Sequence, residues 1–326
     1  MGEQVLELED VSVRFRLRRG TLQAVDGVSF AVRRGEMFGL VGESGSGKSV
    51  TARAIMRLIP DPPGEISRGR ILFEGANVLD KSAAEMRALR GRRIAMVFQE
   101  PMSALNPVFT VSSQIGDALR ANLGLGRKEA RERVIELLAM VGIPSPARRA
   151  DSYVHEFSGG MRQRVMLAMA LSCSPTFLIA DEPTTALDVT IQATILELIA
   201  DMTQRLGLSL LFITHNLGVV AHFCERIGVM YASHLVETGD RRDIFARPQH
   251  PYTVGLLNSI PTLHGQNQRL TPIEGTVCNM MDPPAGCKFH PRCAHAMDVC
   301  RRVAPELKEI APGHKAACHL LNGGSA

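Results

Sequence analysis

The stretch "GESGSGKS", Gly42 to Ser49, decides the fold, because its G-x-x-x-x-G-K-[ST] spacing sits between an apolar run, "EMFGLVG", and a helix-forming run, "KSVTARAIMRLI". A strand that delivers the chain into a glycine turn and then a helix lets the backbone N–H groups of Gly42, Glu43, Ser44, Gly45, Ser46 and Gly47 converge on phosphate oxygens. Lys48 adds a point charge for the β- and γ-phosphates, Ser49 offers a hydroxyl to Mg²⁺, and Val50, next in the chain, is counted with them among the nucleotide-binding residues. A glycine turn used for packing alone would not require the Lys-Ser pair.

Outward from this loop the chain changes texture several times. Short β-rich runs lie over Val5 to Phe15, Val28 to Val32 and Arg70 to Phe73. From about Glu100 to Phe157 helical signals take over, most clearly in "RKEARERVIELLAMVG", where apolar residues recur at helical spacing; this predicts a helical insertion. Alternation follows: helix "MRQRVMLAMALSC", strand "TFLIAD", helix "TIQATILELIADMTQRL", strand "LSLLFIT", helix "NLGVVAHFC" and one strand "RIGVMYASHLVE". Strands alternating with helices predict an α/β fold with a mostly parallel sheet. Beyond Arg247 the sequence turns to Pro, His, Gly and Cys, marking an extension.

Two further clusters supply chemistry. "TFLIADEP" ends an apolar strand in Asp181, placed to hold Mg²⁺ through water, and in Glu182, placed to polarise an attacking water as general base. Two carboxylates closing a strand can also be a turn cap; their position after a phosphate loop favours the catalytic reading. Ser158, Gly159 and Gly160 stand directly before a helix and form a second anion-binding helix start. One nucleotide does not need two cradles, so the second is expected to serve a nucleotide held by a partner chain.

The composition bounds the rest. The chain has 326 residues, 45% of them hydrophobic, which is enough for a well-buried core and more than one structural unit. With 37 basic and 33 acidic residues it carries no single-sign field, and no nucleic-acid partner is expected. The N-terminal "MGEQVLELED" is acidic and lacks an apolar signal core, so the chain is expected to stay in the cytosol. The best membrane-span candidate, residues 206–224, contains two His, an Asn and two Gly and divides into a strand and a helix.

Five of the seven cysteines, Cys278, Cys287, Cys293, Cys300 and Cys318, crowd the last forty-nine residues. A reducing cytosol counts against disulfides. The spacing Cys287-x5-Cys293-x6-Cys300-x17-Cys318 leaves Cys278 as the odd one and presents four soft ligands, suited to zinc or an iron–sulfur cluster. It contains no C-x2-C knuckle and matches no ferredoxin spacing, so spacing leaves both open. Lys288, Arg292, Arg301 and Arg302 could offset thiolate charge; His290, His295, His314 and His319 read as helix or turn residues that could replace a ligand.

"SGGMRQR" between the phosphate loop and "LIADEPTTALD", with "VFQEP" and "FITHN" in order, resembles the ATP-binding-cassette (ABC) ATPases over roughly residues 5 to 240. The resemblance implies a P-loop NTPase fold with an antiparallel β subdomain and a helical subdomain over about 100–160 in a cassette of residues 1–246. Through it, Phe15 is expected to stack on adenine, Gln99 to sense Mg²⁺ and the transporter contact, Asp188 to lie at the dimer contact, and His215 to hold the γ-phosphate. ATP and Mg²⁺ are the implied cofactors. The chain departs from the usual LSGGQ signature at Phe157 and Met161.

The tail, "FARPQHPYTVGLLNSIP" followed by "GCKFHPRCAHAMDVC" and "GHKAACHL", resembles the C-terminal extension of oligopeptide/dipeptide importer ATPases, assigning 247–326 to that extension. This resemblance implies a [4Fe–4S] cluster on Cys287, Cys293, Cys300 and Cys318, with Zn²⁺ as the alternative. It further implies a second ABC ATPase subunit in a hetero- or homodimer, two transmembrane permease subunits, an extracytoplasmic solute-binding protein, and a peripheral place on the cytoplasmic face of the inner membrane. The expected role is to bind and hydrolyse ATP for import of peptides, or of nickel, glutathione or opines. The contrasting reading, a soluble ABC ATPase acting on nucleic acid or ribosomes, predicts two cassettes or long coiled coils, and the sequence has neither.

Overall fold

The structure is a computed structural model that describes residues 2–185, 187–259 and 272–322. Ala186 of "LIADEPTTALD", Ile260 and Pro261 of the tail motif, and the last four residues of the extension lie outside the described residues. The chain divides into two compact units, at Leu211/Phe212 within the strand Ser209–Thr214 and at Leu79/Asp80.

The first unit comprises Asp80–Leu211 with Arg33–Glu36 and the first residues of the chain. Strands Ile94–Val97 and Phe177–Asp181 pair in parallel, Ile94 opposite Phe177 and Val97 opposite Ala180, and every residue of both is buried. Sheets covered on both faces need such unbroken apolar strands, which explains "FLIA" running directly into Asp181. Helices Val111–Leu123, Arg127–Met140 and Gly159–Leu171 pack together through Ile115, Leu119, Val134, Leu137, Leu138 and Val165, all at most 1% exposed. Burying side chains of this kind contributes about 1.5–3 kcal/mol each. The Thr110 hydroxyl caps the first of these helices by accepting from Ser113 N–H at 3.3 Å, and Gly124 closes it in the left-handed conformation.

The second unit comprises Gln4–Val32, Met37–Leu79 and Phe212–Ala326. It contains the expected antiparallel sheet, in the order Gly20–Arg33, Gln4–Leu17, Gly64–Phe73, Ala76–Asn77. Leu6 faces Phe73 and Leu8 faces Ile71, with irregular register between Glu9 and Val13. A second run of strands is ordered Lys308–Ala311, His314–Ala316, His234–Asp240, Arg226–Tyr231, Met37–Val41. Met37–Val41, the strand before the phosphate loop, pairs in parallel with Arg226–Tyr231.

"RIGVMYASHLVE", expected as a single strand, is a hairpin. Ala232 and Ser233 both have positive φ, 44° and 71°, and the chain returns with His234 opposite Tyr231. Two left-handed central residues match the twist of a two-residue hairpin, but Ala-Ser lacks the Asn or Gly that usually announces one. Tertiary bonds hold the turn: Ser233 N–H donates to the Ser46 carbonyl at 3.1 Å, and the Ser233 hydroxyl donates to the Gln23 carbonyl at 2.8 Å. The extension also contributes to this sheet, since Glu237 faces Ala316 and Thr238 faces Lys315. Among the described residues, no helix is long and apolar enough to cross a membrane.

Candidate nucleotide-binding site

In the second unit, the loop Gly42–Gly47 passes between Met37–Val41 and the helix Lys48–Ile55. Gly42 and Gly47 have φ of 156° and 101°; a Cβ at Gly42 would overlap the Met230 carbonyl oxygen, and one at Gly47 the Ala24 carbonyl oxygen. Only glycine meets both demands, so the loop is fixed by its packing as well as by its motif. Ser44 and Gly45 are exposed, whereas Ser46 is buried and Ser49 and Val50 are half-buried. Lys48 is only 3% exposed, and its ammonium donates to the carbonyls of Gly42 at 2.7 Å and Glu43 at 3.0 Å. A buried cation in a glycine cradle, solvated by the loop's own carbonyls, fits an anionic phosphate ligand.

Glu43 departs from the simple cradle. Its N–H donates to the Tyr252 hydroxyl at 2.9 Å, and its carboxylate accepts two bonds from Arg292, at 2.8 and 3.2 Å. Phe15 is half-buried, and a Cβ on Gly64 would stand 2.6 Å from its ring, so the glycine makes room for it. His215 is exposed just past Ser209–Thr214.

In the first unit, Asp181 is 3% exposed at the end of Phe177–Asp181, and Glu182 follows with a left-handed φ of 45°. A bulky residue held there carries backbone strain of a kind that collects at working sites. Gln99 Nε2 donates to Glu182 Oε2 at 3.4 Å and the Thr185 hydroxyl donates to the same oxygen at 2.9 Å, so the structure joins Gln99 to the carboxylate expected to act as base. Ser158 caps Gly159–Leu171, its hydroxyl accepting from Met161 N–H at 3.4 Å; Ser158 and Gly159 are exposed, and Gly160 is buried, with Ile191 in the way of any Cβ. The Asp188 carboxylate caps Val189–Leu206, accepting from Ile191 N–H at 2.9 Å.

The tail differs from expectation. Among the described residues, no three His, Cys, Asp or Glu side chains gather closely enough to hold a metal ion, so the arrangement does not support the expected [4Fe–4S] centre on Cys287, Cys293, Cys300 and Cys318. Burial pushes the Cys287 thiol up to about 11, and burial likewise raises Cys293 and Cys318, each also raised by its cysteine neighbours. Cys278, the odd one, approaches Met280 Sδ at 3.8 Å.

The spacing of the motifs, the strand-loop-helix phosphate cradle and the strained carboxylate after a buried strand define an ATP-binding cassette that hydrolyses ATP. Solved structures agree: the dimeric MJ0796 cassette in a post-hydrolysis state with ADP and Pi has a TM-score of 0.65 and 26% identity over 73% of this chain and 99% of that one. CbiO1 of Clostridium perfringens, part of the ABC transporter complex cbiONQ, has a TM-score of 0.64 and 28% identity over 75% and 92%. The ABC transporter family matches residues 25–185, and the oligopeptide/dipeptide transporter C-terminal region matches residues 236–300. The chain is 51% identical to the "Probable peptide ABC transporter ATP-binding protein y4tR" of Sinorhizobium fredii, covering 98% of this chain and 96% of that one. It is 50% identical to the dipeptide transport ATP-binding protein DppD of Bacillus subtilis, covering 98% and 95%. The chain therefore belongs to the ABC transporter family, as an ATP-binding protein with the oligopeptide/dipeptide type of C-terminal region.

Sequence reasoning missed Tyr252 and Glu237, and it read Arg292 as a counter-charge for thiolates and His314 as a helix or turn residue; the structure pairs Arg292 with Glu43 and sets His314 in a strand against Glu237. Glu237 is fully buried and accepts from Gln249 N–H, His250 N–H and His314 Nε2 at 2.8, 2.9 and 2.8 Å. A Glu inside an otherwise apolar strand sequence was the available signal.

Proposed function

We propose that this chain is the ATP-hydrolysing subunit of a peptide importer, bound peripherally at the cytoplasmic face of the membrane to two permease subunits supplied with solute by an extracytoplasmic binding protein. The observation that carries the reading is one chain holding a complete set of ATPase motifs and the oligopeptide/dipeptide tail, aligned over 98% of its length with a dipeptide transport ATP-binding protein.

The residues have separate tasks in this reading. The loop N–H groups other than that of Glu43, together with Lys48, would hold the β- and γ-phosphates, Phe15 would stack on the adenine, and Ser49, Gln99 and Asp181 would hold Mg²⁺, which would offset phosphate charge. Glu182 takes a proton from the attacking water, Gln99 and Thr185 orient its carboxylate, and His215 donates to the γ-phosphate. Ser158, Gly159 and Gly160 present a helix start to the nucleotide of a second ATPase subunit, with Asp188 at that contact.

Metal or cluster binding by the four tail cysteines rests on the chemistry of the donor set and on the family resemblance; iron, sulfide and zinc analysis after anaerobic purification tests it. The importer reading is tested by reconstituting the chain with its two permease subunits and binding protein in liposomes. ATP-dependent uptake of labelled di- and tripeptides supports it. Uptake of nickel or opines with no peptide uptake overturns the substrate class, and failure to associate with permeases overturns the transport role.

A further inference from the structure

The phosphate loop is gripped from outside by the C-terminal extension. Arg292 is 6% exposed in its side chain and meets Glu43 with two nitrogens on two oxygens. Two further N–H groups go to the extension, Nε to the Glu274 carbonyl at 2.9 Å and Nη2 also to the Ile273 carbonyl at 3.2 Å, so a swing of the guanidinium would break four bonds to a buried cation. The same guanidinium lies 5.8 Å from the ring centroid of Tyr231. Tyr231 in turn packs against Tyr252 with ring centroids 4.6 Å apart and planes tilted by 56°, and the Tyr252 hydroxyl accepts the Glu43 N–H. Phe289, 4% exposed, packs on both tyrosines at 5.1 and 5.5 Å. Glu43 is thus tied through backbone and side chain to groups 209 and 249 positions away in sequence.

Resting on the ATPase assignment, we propose that Arg292 and Tyr252 are positioning residues for the nucleotide: through Glu43 they preset the phosphate loop, and nucleotide binding in turn tightens the extension around Arg292. Glu43 is then the handle of the loop, its side chain committed to the extension instead of to ATP. A preset loop binds without a reorganisation cost, and the coupling must be reciprocal.

The test uses the full-length protein in its assembled complex, with MgATP as the probe, comparing wild type with Tyr252→Phe, Arg292→Met and Arg292→Lys. The expected result is a KM for MgATP raised roughly three- to tenfold in Tyr252→Phe and more in Arg292→Met, with kcat within about twofold and partial recovery in Arg292→Lys. In wild type, MgATP should slow amide hydrogen exchange across residues 286–302, and this protection should be lost in Arg292→Met. A purely structural clamp would lower the melting temperature and leave KM and the MgATP-dependent exchange unchanged, which would overturn the proposal. Should Arg292→Met fail to fold, Tyr252→Phe decides: an unaltered KM refutes the coupling. Wild type that does not bind MgATP would instead refute the ATPase assignment, and the coupling with it.

Discussion

Gln99 Nε2 lies 3.4 Å from Glu182 Oε2, and the Thr185 hydroxyl lies 2.9 Å from that same oxygen. The carboxylate expected to activate water is therefore oriented by two donors from opposite sides in sequence, one before the helical region and one just after the buried strand. Because Gln99 orients the base and is also assigned to Mg²⁺, Gln99→Ala should lower ATP turnover by about 10- to 100-fold, a larger loss than its weakening of MgATP binding. Steady-state hydrolysis and equilibrium binding on the same preparation check this.

Gly42 stands where any side chain would strike the Met230 carbonyl oxygen, at a φ of 156°. Gly42→Ala should displace the loop and weaken MgATP binding by at least about tenfold, with the secondary structure seen by circular dichroism retained. Wild-type affinity in this variant would mean that the loop has room the structure does not show.

His250 is buried, and burial pushes its pKa down to about 4 from an ordinary 6.5. Between these values the unfolded chain binds the proton and the folded chain does not, so stability is lost as pH falls from about 6.5 towards 4, on the order of 3 kcal/mol in total. Its Nδ1 accepts from Tyr252 N–H at 3.1 Å, a role an asparagine side chain can take. Urea unfolding across this range should show the acid slope in wild type and a shallower one in His250→Asn.

Glu237 keeps a fully buried carboxylate on three donors. His314→Ala removes one of them, the Nε2 at 2.8 Å, and should cost about 1–3 kcal/mol in denaturant unfolding near neutral pH. His314→Gln, which can still donate, should recover part of that loss.

The phosphate loop and the strand ending in Asp181 were legible in the sequence because each is a local pattern: glycines where the backbone turns, an unbroken apolar run where both faces are covered. The hairpin at Ala232–Ser233 was not, because its left-handed residues are held by bonds to Ser46 and Gln23, which lie near neither turn residue in sequence. The same holds for the hold on Glu43. Nothing local to Tyr252 or Arg292 marks them as partners of a loop more than two hundred residues earlier, and a pattern reading counted Glu43 only as a member of the cradle. The cysteine spacing revealed a donor set without revealing its arrangement, since convergence of thiols depends on burial and on a bound cation, and spacing encodes neither.

The most direct measurement is ATP binding and ATP turnover, side by side, for wild type and Glu182→Gln in the complex with the permease subunits. With Glu182 as the base, the variant binds MgATP within about threefold of wild type and hydrolyses it at least about 100-fold more slowly. Turnover at the wild-type rate in Glu182→Gln would contradict the assignment of the catalytic carboxylate and the hydrolytic centre built around it.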